Sequence, residues 1–300
     1  MTHGGVPGFL DPAVLARIGE LTLLARTVVE GFMHGLHRAP RLGHSTDFAE
    51  HRSYQPGDDI RKIDWRLYGR TDRYFVKQFE ADTNASVVFA IDVSKSMDFA
   101  SGLVTKWQYA RMLAAALAWF SQHQGDRVGL ALYADTIREW IPPSTRHLPR
   151  ILHTLERAQP GGASAAVTPI GEVAELLGRT GITVFISDWY LDPPLVKETL
   201  GRVRVRGHDV IAFHVVDPAE QSLPYHEAAF FEDLETEDRL SVLPQVARAH
   251  YQTLQEAHCR ALVDGLAGAG VDYHQVDTAL PLDQALYHYL HRRESLGRIR

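Results

Sequence analysis

The stretch Ser86-Val87-Val88-Phe89-Ala90-Ile91-Asp92-Val93-Ser94-Lys95-Ser96 joins an apolar run to a polar loop. Its first six residues show no alternation of apolar and polar side chains. Such a run fits a strand covered on both faces, as in a parallel sheet between layers of helices. Working outward, Arg127 to Tyr133, Ile182 to Ile186, Val210 to Val216 and Val271 to Val276 read as further strands. Helical spacing fills the intervals. Leu103, Trp107, Ala110, Leu113, Leu117 and Phe120 mark one helix. Leu148 to Ala158, Pro169 to Leu177, Asp192 to Val205, Pro244 to Ala267 and Pro281 to Arg293 read as others. Thr136 to Ile141 reads as an antiparallel strand, and Ala228 to Leu243 as a short β excursion. Strands alternating with helices predict an α/β fold with a doubly wound, mostly parallel sheet.

Upstream of this core, Met1 to Phe9 is rich in Gly and reads as a loose terminus. Asp11-Pro12 is an N-cap followed by Pro at the first helical position. Ile18, Leu21, Ala25, Val28, Phe32 and Leu36 follow at helical spacing. They predict one amphipathic helix over Asp11 to Leu36, whose apolar stripe needs the main body as a partner. His37 to Gln55 reads as irregular. Pro56-Gly57-Asp58-Asp59 is turn chemistry that caps a short segment, Ile60 to Leu67, and Tyr74 to Phe79 reads as a strand. The expected division is an extension over residues 1–80, packed on a core over residues 81–300.

Composition narrows the function classes. Of 300 residues, 45% are hydrophobic and 23% charged, which argues against wholesale disorder. Lys and Arg number 31 against 37 Asp and Glu, a net charge of −6 that argues against indiscriminate nucleic-acid binding. Cys259 is the one cysteine, so an intramolecular disulfide and a Cys-rich zinc site are both excluded, and a reducing compartment is expected. The longest strongly apolar run, Met112 to Phe120, falls far short of the roughly 18 residues a membrane span needs. No secretory-type apolar block follows Arg17, the first basic residue, so no leader is expected and the reading is cytoplasmic.

In doubly wound sheets, ligands bind beyond the carboxyl ends of the strands, where the strand order reverses. That places weight on Asp92, Ser94 and Ser96, oxygen donors at i, i+2 and i+4. A loop that curls around one point lets them share a hard cation, Mg²⁺, Mn²⁺ or Ca²⁺. The bland reading is that Ser and Asp in short loops cap helices. Thr168, before Pro169 and a helix, and Asp188, after the strand Ile182 to Ile186, open onto the same sheet edge. Each also has a capping reading. Asp217 ends another strand at that edge and is either a supporting group or a turn cap before Pro218. Of the 16 histidines, His34 with His37 and His288 with His291 stand at i, i+3, yet no further ligands are spaced to complete a zinc site. They read as surface helix positions, and Cys259 as a packing residue. No Gly-Lys-Ser/Thr of Walker type occurs.

Asp92, Ser94, Ser96, Thr168 and Asp188 together resemble the metal-ion-dependent adhesion site of von Willebrand factor A domains. More specifically, the chain resembles the bacterial family catalogued as domain of unknown function 58, which is von Willebrand factor A-like. Tyr54-Gln55-Pro56-Gly57-Asp58-Asp59-Ile60-Arg61-Lys62-Ile63-Asp64-Trp65-Arg66 is similar to that family's most recognisable signature, and Arg73-Tyr74-Phe75-Val76-Lys77-Gln78-Phe79-Glu80 continues it. Many relatives carry membrane-spanning helices before the signature, and this sequence shows none there. The resemblance implies one divalent cation, Mg²⁺ or Mn²⁺ with Ca²⁺ also compatible, held by those five residues. It also implies a MoxR-type AAA+ ATPase as partner, in maturation or assembly of client proteins. If the carboxylates act mainly through water, as in similar domains, the hydroxyl ligands leave the ion with much of its charge. A position open to exchange then takes an Asp or Glu of a partner or client. Two alternatives stand beside this non-enzymatic adaptor. One is an Mg²⁺-dependent phosphate-ester hydrolase, although Ser94 stands where such enzymes usually place a second Asp. The other is a nucleic-acid module using the basic and aromatic segment 61–77, in which Asp64 and Asp72 are interspersed.

Overall fold

The protein is described here by a computed structural model covering residues 10–38, 51–53, 74–77, 85–162, 167–178, 180–234 and 238–297. The signature Tyr54 to Arg66, the segment Ile60 to Leu67, most of the basic stretch 61–77 and the terminus Met1 to Phe9 lie outside the described residues.

The strands are β1 (His51–Ser53), β2 (Phe75–Lys77), β3 (Ser86–Asp92), β4 (Arg127–Tyr133), β5 (Ile137–Ser144), β6 (Ile182–Ser187), β7 (Asp209–Val216), β8 (Ala229–Glu232), β9 (Arg239–Val242) and β10 (Asp272–Asp277). The helices are α1 (Pro12–Leu15), α2 (Leu21–Arg38), α3 (Lys106–His123), α4 (Leu148–Arg157), α5 (Thr168–Leu176), α6 (Pro193–Val205), α7 (Pro218–Ser222), α8 (Pro244–Gly268) and α9 (Asp283–Gly297). Six strands form the central sheet in the order β10-β7-β6-β3-β4-β5. All neighbours are parallel except β4 and β5, which the reading of Thr136 to Ile141 as an antiparallel strand anticipates. β1 and β2 form a small antiparallel pair, as do β8 and β9.

The unbroken apolar runs of β3, β4 and β6 follow from burial on both faces. Val87, Phe89 and Ile91 point to one face, into a core shared with α2, α3, α4 and α9. Ala90, Phe185 and Ala212 point to the other, packing against Ile170 and Val173 of α5, Val196 and Leu200 of α6 and Leu262 of α8. The fold is therefore a three-layer, doubly wound α/β sandwich, as the strand–helix alternation predicts. Among the described residues no helix is long and apolar enough to cross a membrane.

The predicted single helix over Asp11 to Leu36 divides in two. Asp11 caps α1 through Ala13 N (2.8 Å), and the chain leaves helical pairing between Ala16 and Glu20. α2 starts afresh at Leu21, whose N–H donates to Glu156 Oε1 of α4 (2.7 Å). A cap supplied from 135 positions away leaves no mark on local periodicity, so the break was illegible. Leu24, Ala25, Val28 and Phe32 then seat α2 on the core, the partner surface its stripe requires.

Candidate metal-binding site

The strand after β3 joins the sheet on one side of it, and the later parallel strands join on the other. The loop following Asp92 thus sits where the strand order reverses. Ser94 N donates to Asp92 Oδ1 (2.8 Å), closing a turn typical of Asp at a loop start. A single 3₁₀ turn over Lys95–Asp98 follows. Lys95 N donates to Gly162 O (2.9 Å) and Gly161 N to Val93 O (2.8 Å), so the loop before α5 pins this turn in place. The Ser94 and Ser96 hydroxyls stand 3.0 Å apart.

From the neighbouring strand, Ser187 Oγ donates to Asp92 Oδ2 (2.8 Å). Asp188 follows at the end of the strand, close enough for its charge to act on Asp92. The next residue, Trp189, is fully buried with φ +52°, a left-handed conformation that is uncommon outside Gly and Asn. Three bonds hold it: its N–H to Ser187 Oγ (3.1 Å), its indole N–H to Phe213 O (2.9 Å), and His258 Nε2 on its carbonyl (3.0 Å). The backbone just after Asp188 is therefore fixed by β7 and α8 as well as by its own strand.

Two carboxylates this close need charge compensation. Burial and the neighbouring Asp188 charge push Asp92 up to about 6. Burial also works against ionisation of Asp188, but the Lys106 ammonium outweighs it and holds Asp188 below the usual carboxylate range. Lys106 Nζ donates to Asp188 Oδ2 (2.8 Å) and to Glu220 Oε1 (2.6 Å). The rings of Tyr190 and Phe99 lie 5.0 Å and 5.9 Å from Nζ, within cation–π range. Burial pulls the Lys106 pKa down and the two carboxylates more than reverse it. Burial drives His214, beside Asp188, down to about 3, so it is neutral. Three buried polar atoms here lack a hydrogen-bond partner: Asp188 Oδ1, Tyr133 OH and His214 Nε2. Orphaned buried groups are rare in folded proteins, and a carboxylate oxygen among them indicates a ligand position.

Of the five residues predicted from sequence, the fold brings four together: Asp92, Ser94, Ser96 and Asp188. Thr168 is the first residue of α5 and exposed; no hydrogen bond ties it to the other four among the described residues, and residues 163–166 before it lie outside them. Asp217 is a helix cap, accepting from Ala219 N (2.8 Å), and it also takes both the N–H and the hydroxyl of Ser101. His288 departs from the expected surface position, because its half-buried ring stacks on His274 with centroids 4.1 Å apart. Among the described residues no three His, Cys, Asp or Glu side chains gather as a metal cluster; the donor set is instead two carboxylates and two hydroxyls. Those donors suit a hard cation, and Asp188 Oδ1 is the oxygen left to serve it.

Lys106, Glu220, Ser187, Tyr133 and His214 escaped the sequence reading. Lys106 carried one signal. It follows the Thr105 cap in the first turn of α3, where a positive charge opposes the helix dipole and needs an anionic neighbour.

The sequence model described as "Protein of unknown function DUF58" matches residues 50–261. The uncharacterized protein Rv1480 of Mycobacterium tuberculosis and the uncharacterized protein Mb1516 of Mycobacterium bovis are each 30% identical over 219 residues, covering 71% of this chain and 68% of theirs. Among solved structures, the conserved hypothetical protein BatB from Bacteroides thetaiotaomicron aligns over 70% of this chain and 99% of its own, at 18% identity and a TM-score of 0.49. An aerotolerance-related membrane protein from Bacteroides fragilis aligns over 69% and 99%, at 18% identity and a TM-score of 0.47. On the extent of the sequence match, this chain belongs to the DUF58 family of proteins of unknown function.

Proposed function

We propose that the chain is a non-enzymatic, divalent-cation-dependent protein-binding adaptor. The observation that carries this reading is the meeting of Asp92, Ser94, Ser96 and Asp188 at the sheet edge, with a buried Asp188 oxygen left unpartnered. Mg²⁺ or Mn²⁺ at these residues would supply a Lewis-acidic position for an Asp or Glu of a partner or client. Asp92 and Asp188 supply the negative charge, Ser94 and Ser96 neutral oxygens. Thr168 is the proposed fifth donor, from the start of α5. Partnership with a MoxR-type AAA+ ATPase, and a cytoplasmic setting, rest on the sequence resemblance and belong to the same proposal.

The test is Mn²⁺ binding to the full chain by electron paramagnetic resonance, paired with pull-down of the MoxR-type ATPase in Mg²⁺ or EDTA. Asp92→Ala and Ser96→Ala are expected to lose both activities while circular dichroism stays native, because Ser96 lies in the turn after β3 and Asp92 is that strand's last residue, beyond its apolar run. Thr168→Val is expected to weaken Mn²⁺ binding less than Asp92→Ala does. Binding of the ATPase that survives EDTA and both alanine variants overturns the metal-bridge reading.

A further inference from the structure

Lys106 and Glu220, which form an ion-pair cluster with the candidate ligand Asp188, have no role in the proposed function. Lys106 and Asp188 are each 1% exposed at the side chain, and Glu220 is 14% exposed. Lys106 projects from the first turn of α3, Glu220 from the short helix α7, and Asp188 from the end of β6. Glu220 is itself anchored, its Oε2 accepting from Asp217 N (3.0 Å) and its carbonyl from the Tyr251 hydroxyl (2.6 Å). The Lys106 ammonium is shared by two carboxylates, and one of them is a candidate metal ligand.

We propose, on the basis of the metal-site reading, that Lys106 sets the affinity of this site by competing with the divalent cation for Asp188, with Glu220 as its alternative anchor. By formal charge, the three carboxylates of Asp92, Asp188 and Glu220 and the Lys106 ammonium sum to minus two, which one dication neutralises. The hydrogen bond from Lys106 holds Asp188 in place when the site holds no cation. The same ammonium repels a dication a few ångströms away. Glu220 acts in the opposite sense, adding negative charge and drawing Lys106 away from Asp188. Even at the dielectric constant of water, one unit charge about 6 Å from a dication changes its affinity about tenfold.

Two substitutions therefore move affinity in opposite directions. Lys106→Met is expected to bind Mn²⁺ at least about tenfold tighter than the native chain, and Glu220→Gln about tenfold weaker. Lys106→Arg, which keeps the charge, is expected to stay near the native value. Lys106→Gln, neutral but polar, carries the same expectation as Lys106→Met should the latter fail to fold. Mn²⁺ titration by calorimetry or electron paramagnetic resonance at neutral pH reads all four. Tighter binding in a neutral Lys106 variant supports the proposal, since structural damage alone would weaken binding. A native chain that binds Mn²⁺ with affinity unmoved, or weakened, in both neutral variants overturns it and leaves the metal site standing. A native chain and variants that bind no Mn²⁺ overturn the metal site itself.

Discussion

Trp189 shows how one residue links packing to the candidate site. Its left-handed backbone is a conformation that costs roughly 1–3 kcal/mol outside Gly and Asn. The indole bond to Phe213 O, the Ser187 hydroxyl on its N–H and complete burial against Phe185 offset that cost. Trp189→Phe keeps an aromatic ring but leaves Phe213 O without its donor. It is expected to lower stability by about 1–3 kcal/mol in urea unfolding. Mn²⁺ affinity is expected to fall with it, because the backbone beside Asp188 loses a fixed point. At this scale the sequence was legible in part. Asp92, Ser94, Ser96 and Asp188 were singled out as candidates because Asp and Ser recur at strand ends that open onto one sheet edge. Trp189 and Lys106 were passed over because an apolar ring and a helical lysine have ordinary roles almost everywhere else.

At the scale of elements, the site depends on how closely β6 lies against β3. Gly181 precedes β6, and a Cβ there would stand 2.2 Å from Ser86 O, at the start of β3. Gly181→Ala must push the two strands apart at their amino ends. It is expected to cost about 1–3 kcal/mol of stability, measured by thermal or urea unfolding, while the ligand loops at the opposite strand ends keep their fold. The core strands and helices were legible because each carries its own hydrophobic period. The exceptions have separate causes. The gap between α1 and α2 is set by Glu156 capping Leu21 from another helix. The five-residue α7 is closed by a reciprocal cap between Asp217 and Glu220 and is too short for a period to register.

For the whole molecule, the ordinary acid response of surface carboxylates is overlaid by buried groups of both kinds. Burial, then the neighbouring His288, pulls His274 down from 6.5 to about 4, and His288 is lowered as well. A histidine depressed in the fold takes up its proton more readily in the unfolded chain. Its contribution to stability is therefore present above about pH 6.5 and is lost as the pH falls toward 4. Asp272, Asp277 and Glu220 are raised by burial and act in the opposite sense, gaining stability as acid protonates them. The diagnostic quantity is thus a difference between variants. His274→Phe keeps a ring against His288 and is expected to lose less stability than the native chain between about pH 7 and pH 5 in urea unfolding. Equal losses would show that the stacked pair does not carry the acid response.

Hydrophobic periodicity along the chain was enough to specify the doubly wound sheet, its parallel core with one antiparallel strand, and the loop at the point where the strand order reverses. Those features follow from each segment's own pattern and from the handedness of strand–helix–strand connections. The charge arrangement behind the candidate metal ligands was decided only in three dimensions. Lys106, Asp188 and Glu220 come from three distant segments, and nothing in the neighbourhood of any one of them states that the other two are present. Their pairing exists because packing excludes water from all three at once, and buried charges then require one another.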